Sequence, residues 1–264
     1  MKLVKYLFPF LPARAKARLG YGIGISDFRF DPEKDVRADI IDKYHFDGEL
    51  LDIFVNNRDR PVHKWHHYIP LYDRYFSRFR GTNVRFLEIG VFRGGSLQMW
   101  RNYFGDKATI FGIDSDPSCA SLDGLSGSVR IGSQADIPFL NRVVEEMGGV
   151  DIVLDDGSHQ MRHLAKTFRA LFPLVSTNGL YMAEDLCTSY WRSYGGGYQK
   201  RANFFSFISR VINDMHHWWH VHPLHYPELS DTCSGVHVHD SVAIFEKGKT
   251  FRPTHSEIPD QPRV

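Results

Sequence analysis

Two pairs of acidic residues and one histidine carry the chemistry most plainly written in this chain: Asp155-Asp156-Gly157-Ser158-His159 and Glu184-Asp185. Each pair follows a short apolar run, Val150–Leu154 and Leu180–Ala183, that reads as a buried strand. Adjacent strands in a sheet lie about 4.8 Å apart, so carboxylates at neighbouring strand ends can reach one ion. Carboxylates crowded together without a cation would repel one another strongly. Asp156, Glu184 and Asp185 are therefore the candidate metal ligands. A donor set of hard oxygens without cysteine suits Mg²⁺ or Mn²⁺ rather than structural zinc. His159 stands at the first turn of a helix that Ser158 is expected to cap. An imidazole titrates near neutrality, which makes His159 the candidate general base. A bound cation would favour the alkoxide of an acceptor hydroxyl beside it.

The second constellation is Glu88-Ile-Gly90-Val-Phe-Arg-Gly94-Gly95-Ser96, a strand, a glycine turn and a helix start. Glycines allow close backbone approach and positive φ. A dinucleotide site would place pyrophosphate at this helix N-terminus. An acid at the end of the strand would repel that group but attract the amino group of S-adenosylmethionine. Glu88, Gly90, Gly94 and Ser96 are thus assigned to a cofactor turn. Asp114, ending the next strand, is placed to accept hydrogen bonds from a ribose diol, a feature that nicotinamide enzymes share. Gln134, in Ser133-Gln134-Ala135-Asp136, is a candidate for the adenine edge, with a ligand-free polar loop as the alternative. Asp155 is counted with the cofactor half, although it could equally serve as a local cap.

Positioning these groups requires alternating strands and helices. Apolar runs at Val84–Ile89, Thr109–Ile113, Val129–Ile131, Val150–Leu154 and Leu180–Ala183 are separated by amphipathic helical patterns. Ser96 is expected to cap a helix through Leu97, Met99, Trp100 and Tyr103, and Asn178-Gly179 to turn into the fifth strand. Val236–His239 and Val242–Glu246 leave room only for an antiparallel hairpin at the sheet edge. The expected fold class is α/β: a Rossmann-like, doubly wound seven-stranded sheet, mostly parallel, with an antiparallel C-terminal hairpin and an N-terminal helical cap. Ligands then sit beyond the carboxyl ends of the strands, where every acid named above would converge. The domain reading is a basic segment and cap over 1–80, the catalytic domain over 81–250, and a tail over 251–264.

The 264 residues carry a net charge of +1, so no global field recruits nucleic acid. Three well-separated cysteines fit a reducing cytoplasm rather than a disulfide framework. The basic stretch Met1–Gly20 reads as a segment on or fraying from the domain, with peripheral contact to an anionic membrane as the alternative. Histidines between His216 and His225 are interleaved with tryptophans and read as an aromatic, partly buried wall rather than a zinc site. Tyr190, Trp191 and Tyr194, beside the run Gly195-Gly196-Gly197, suit a lid stacking on an acceptor. Tyr68, after His66-His67, is a further candidate for the acceptor pocket.

The phrases FLEIGVFRGGSLQMW, DIVLDDGSH and EDLCTSYW resemble the macrocin and mycinamicin O-methyltransferases, and the likeness runs roughly from Lys64 to Glu246. That resemblance implies S-adenosylmethionine as methyl donor, Mg²⁺ held by Asp156, Glu184 and Asp185, and His159 as base. It implies a sugar or glycoside hydroxyl as acceptor, and association into a homo-oligomer. Catechol O-methyltransferases are a more distant likeness, with a lysine where this chain has His159. Two alternatives stand beside the leading function: methylation of a small phenolic or antibiotic-tailoring substrate, and a non-catalytic nucleotide-binding module.

Overall fold

The computed structural model describes residues 25–256 and 258. The basic segment at Met1–Gly20 lies outside them. The described residues divide into two compact units, the smaller ending at Asp47 and the larger beginning at Gly48. The smaller holds α1 (Val36–Tyr44), whose Asp35 N-cap accepts the backbone N–H groups of Arg37 and Ala38.

In the larger unit, the expected helical cap is two helices, α2 (Glu49–Val55) and α3 (Tyr68–Phe76), with an extended stretch between them. Seven strands follow, β1 (Arg85–Ile89), β2 (Thr109–Asp114), β3 (Ser128–Ile131), β4 (Val150–Asp155), β5 (Val175–Ala183), β6 (Cys233–His239) and β7 (Val242–Lys247). They form one sheet in the order β3-β2-β1-β4-β5-β7-β6. Pairing is parallel from β3 through β5, and β7 is antiparallel to both β5 and β6. The expected mostly parallel sheet with a C-terminal hairpin is what forms. The connecting helices are α4 (Gly95–Phe104), α5 (Ile137–Glu146), α6 (Met161–Leu171), α7 (Phe204–Met215) and the short α8 (Pro227–Ser230).

Side-chain alternation along a strand divides the core into two layers. Leu87 and Ile89 of β1 join Val143 of α5, Leu164 and Phe168 of α6, and Phe207 and Ile208 of α7. Phe86 points the other way, with its ring 5.3 Å from Trp100 and 5.1 Å from Phe104 of α4. Tyr72 and Phe76 of α3 complete that second layer, their rings 4.9 Å and 5.6 Å from Trp100. Both sheet faces are therefore covered, as a parallel sheet requires.

Three local expectations give way. Helix α4 has Gly94, in the left-handed region, as its N-cap, and not Ser96. Helix α6 starts after Gln160, because Ser158 and His159 precede it and His159 has φ 52°. Asn178-Gly179 lies inside β5 as an irregularity, where pairing with β4 jumps from Val150↔Val175 to Ile152↔Leu180.

Phe168 is fully buried, with ring centroids of Phe245 at 4.4 Å, Phe172 at 4.9 Å and Tyr181 at 5.0 Å. Truncation of such a residue leaves a cavity that close-packed neighbours cannot fill. Phe168→Ala is expected to lower unfolding free energy by about 3–5 kcal/mol in urea titration.

Candidate active site

The register brings the motifs to one level. Ile89 pairs with Asp155 and Asp155 with Ala183, so the residues that follow all emerge from the same edge. Backbone bonds continue past the strands: Gly90 N–H to the Ile113 carbonyl, Asp156 N–H to that of Ile89, and Glu184 N–H to that of Asp155. Gly90 has φ 97°, and a Cβ there would fall 2.1 Å from the Asp156 carbonyl oxygen. Its glycine is thus demanded by the chain crossing beside it, as well as by the turn.

The acids then separate by which way their strand position faces. Asp156 Oδ2 accepts from Lys64 Nζ at 2.6 Å, and Glu184 Oε2 from the same ammonium at 2.8 Å. Burial alone would drive the proton off Lys64, but Asp156, Glu184 and Glu88 outweigh it and raise its pKa. For Glu184 burial raises the pKa, Lys64 opposes that, and Asp156 adds to it. Asp185 Oδ1 accepts from Trp65 Nε1 at 2.8 Å and from the Tyr68 hydroxyl at 2.9 Å. His159 Nε2 lies 3.8 Å from Asp156 Oδ1 and 3.8 Å from Asp185 Oδ2. Asp156, His159 and Asp185 can each offer a ligand atom, all within 4.8 Å of one another. The two hard carboxylate oxygens, at a cluster of negative charge with the imidazole beside them, fit a divalent cation. Backbone strain gathers here, since His159 and Asp185 both have φ 52° without being glycine.

Of the residues assigned to the metal, Asp156 and Asp185 come together around His159, while Glu184 is turned to Lys64. His159 sits in the loop before α6, so its placement owes nothing to a helix N-terminus. Ser158 instead pairs its hydroxyl with His163 Nδ1 at 2.8 Å.

The cofactor assignments divide similarly. Asp114 Oδ2 accepts the backbone N–H groups of Val91 and Phe92 at 3.0 Å and 2.9 Å, and Oδ1 that of Asp116. It braces the turn that begins at Gly90, and a carboxylate still has lone-pair capacity for another donor. Gly94 is the left-handed residue from which α4 begins. Glu88, by contrast, does not face an open turn. As the penultimate residue of β1 it points into the helix layer, fully buried, accepting from Ser96 Oγ at 2.8 Å and Trp100 Nε1 at 3.2 Å. Ser96 is thereby engaged inward too. Asp155 is fully buried and accepts from the Tyr181 hydroxyl and from Gln134 Nε2. Gln134 Oε1 accepts the Ser158 N–H at 2.6 Å and its Nε2 donates to Asp155 and Thr167, so this buried side chain joins the ends of β3 and β4. Asp136 caps α5 through the Phe139 N–H.

Around the opening, Tyr194 lies 6.4 Å from His159 and 5.8 Å from Trp191 between ring centroids. Tyr190 is 51% exposed beside Tyr198. The glycine run between them is tied down: Gly196 N–H bonds the Trp191 carbonyl and Gly197 N–H that of Ser189. A Cβ on Gly196 would fall 2.4 Å from the Ser189 carbonyl oxygen. This segment is a stitched wall rather than a free lid. Tyr68 is buried and hydrogen-bonded to Asp185, which removes it from any acceptor surface. In the His216–His225 stretch Trp219 is 72% and Val221 100% exposed, while His217, His220 and Leu224 are half-buried. His216 and His220 bond carbonyls of α7.

Lys64 and Trp65 are the functional-site residues that sequence reasoning overlooked. Their partners lie 92 and 120 positions away, and nothing local in the sequence marks a lysine as buried.

The strand order, with its antiparallel last pair, and the acids at the parallel strand ends define a class I, Rossmann-like methyltransferase fold. No protein-family model matches the chain. It is 40% identical over 202 residues to the 8-demethyl-8-(2-methoxy-alpha-L-rhamnosyl)-tetracenomycin-C 3'-O-methyltransferase of Streptomyces olivaceus, across 72% of this chain and 51% of that one. It is 37% identical over 197 residues to the mycinamicin VI 2''-O-methyltransferase of Micromonospora griseorubida, across 70% and 49%. Among solved structures, the MycE methyltransferase of mycinamycin biosynthesis, in complex with Mg, SAH and mycinamycin VI, superposes with a TM-score of 0.66 at 30% identity, covering 88% of this chain and 57% of that one. Over about 70% of its length the chain is thus similar to these O-methyltransferases. It spans about half the length of the curated relatives it matches.

Burial raises the Glu88 carboxyl to about 7, with Lys64 opposing and Asp156 reinforcing the shift. Between about pH 4.5 and 7 the folded state therefore holds a proton that the unfolded state has released, and this group makes stability fall as pH rises through that window. Glu88→Gln removes the dependence. The stability of the variant relative to the parent is expected to grow by about 3 kcal/mol from pH 4.5 to pH 8 in urea titrations.

Proposed function

We propose that this chain transfers a methyl group from S-adenosylmethionine to a hydroxyl of a sugar on a glycosylated small molecule, with a divalent cation, Mg²⁺ or Mn²⁺, at the acidic cluster. The observation that carries this reading is the convergence of Asp156, His159 and Asp185 within 4.8 Å of one another, at the strand edge that also bears the Gly90 turn. The donor cofactor supplies an electrophilic methyl on a sulfonium, and the cation supplies charge that favours the deprotonated acceptor oxygen.

The chain's own residues account for the rest. Gly90, Gly94 and Asp114 form the cofactor turn, with Asp114 offering its remaining lone pairs to the ribose hydroxyls. Asp156 and Asp185 hold the cation. Glu184, whose two oxygens belong to the same acidic cluster, contributes charge and is drawn toward Lys64. His159 lies close enough to that cluster to accept the acceptor's proton at a ring nitrogen. Tyr190, Trp191 and Tyr194 offer ring faces to the apolar side of a sugar, and their fixed loop excludes water and orients the hydroxyl, which is where much of the rate in a charge-neutralising transfer arises.

The relatives' names support a glycosylated small-molecule acceptor over the phenolic alternative. A homo-oligomer belongs to the same proposal and is read directly by sedimentation. Among the described residues no helix is long and apolar enough to cross a membrane.

Two measurements check this reading. Calorimetry with S-adenosylhomocysteine should give saturable binding, and its absence at millimolar ligand would sink the cofactor assignment. A screen of rhamnosylated and other deoxysugar glycosides should give product by mass increase of one methyl. EDTA should abolish that turnover and added Mg²⁺ restore it, while unchanged turnover in EDTA removes the cation from the mechanism.

A further inference from the structure

Residues 64–68 touch every acid of the cluster. Lys64, Trp65 and Tyr68 follow one another where the extended stretch enters α3, and the Tyr68 N–H closes the turn on the Trp65 carbonyl at 3.0 Å. This turn holds the indole and the phenol on one carboxylate. Both donate to Asp185 Oδ1, at 2.8 Å and 2.9 Å. The phenol is itself fixed, because the Asp185 N–H donates to it at 3.2 Å. Lys64 is buried and takes Asp156 Oδ2 at 2.6 Å. One oxygen of each of these two carboxylates is therefore engaged by this segment. The other two, Asp156 Oδ1 and Asp185 Oδ2, are the atoms that stand 3.8 Å from His159 Nε2.

We infer that residues 64–68 are a positioning element that leaves each of the two metal-facing carboxylates a single free oxygen, and so selects a small cation against Ca²⁺. The inference rests on the metal-dependent reading above. Mg²⁺ requires near-octahedral geometry with one oxygen from each ligand group and waters elsewhere, whereas Ca²⁺ takes six to eight oxygens and readily uses carboxylates through both. A carboxylate with one oxygen already hydrogen-bonded serves the first ion well and the second poorly. Partners behind metal ligands typically govern affinity by about 10–100-fold.

The test is calorimetric titration of the full chain, with S-adenosylhomocysteine present, using Mn²⁺ and Ca²⁺ separately. Trp65→Phe and Tyr68→Phe together free Asp185 Oδ1 while keeping the rings, and each alone removes one of its two donors. The expected result is Mn²⁺ binding weakened on the order of 10-fold in the double variant, with Ca²⁺ binding unchanged or tighter, so that the ratio of the two dissociation constants narrows. If the double variant fails to fold by circular dichroism, the two single variants read the same ratio, each with a smaller narrowing because one donor to Asp185 Oδ1 remains. An unchanged ratio overturns the inference, whether both ions bind as before or both weaken in proportion, since a merely structural role would move both equally. If the unaltered chain takes up no Mn²⁺ at all, the metal reading itself fails and this inference falls with it.

Discussion

A lysine ammonium buried between two carboxylates from adjacent strand ends is the interaction on which this site depends. Glu88, Asp156 and Glu184 all lie within the electrostatic reach of Lys64, and each would raise the energy of the others if left alone. Removing one partner of a buried ion pair costs about 3–5 kcal/mol, because the remaining charge is stranded away from water. The protein tolerates several acids at one crevice because a cation from the extended stretch before α3 is placed among them. A divalent ion on the far side of Asp156 would meet a cluster already part-neutralised and held in shape.

The same arrangement explains why α3 is part of the core. Its Tyr72 and Phe76 pack on Trp100, and Trp100 in turn donates to Glu88. The aromatic layer beneath β1 thus anchors the segment that carries Lys64, Trp65 and Tyr68. Packing on one face of the sheet and chemistry at its edge are linked through a single stretch of chain. Interior packing that leaves few rotamer alternatives is what allows hydrogen bonds of this kind to be specific.

Glycines and strained residues mark where chains cross. Gly90 lies against the Asp156 carbonyl, so the glycine turn after β1 and the loop after β4 share a backbone contact. His159 and Asp185 are held in left-handed conformations at the ends of the two loops that face each other. Strain of this kind persists only when surrounding structure over-determines it, and here the register of β4 with β1 and β5 does so.

The order of strands and helices, the acids at the strand ends, and the hairpin at the sheet edge were all legible in the amino-acid sequence. Each depends on short-range periodicity and on residue types whose preferences are local. Tertiary structure alone decided which acids face the crevice. Glu88 and Asp155 sit within their strands and turn into the helix layers, while Asp156 and Asp185, just beyond the strand ends, turn outward. A shift of one position reverses a side chain's direction, and boundaries are read from sequence less sharply than that. Lys64 and Trp65 were invisible for a different reason. A lysine's burial depends wholly on partners far along the chain, and only the folded arrangement reveals that its charge is balanced.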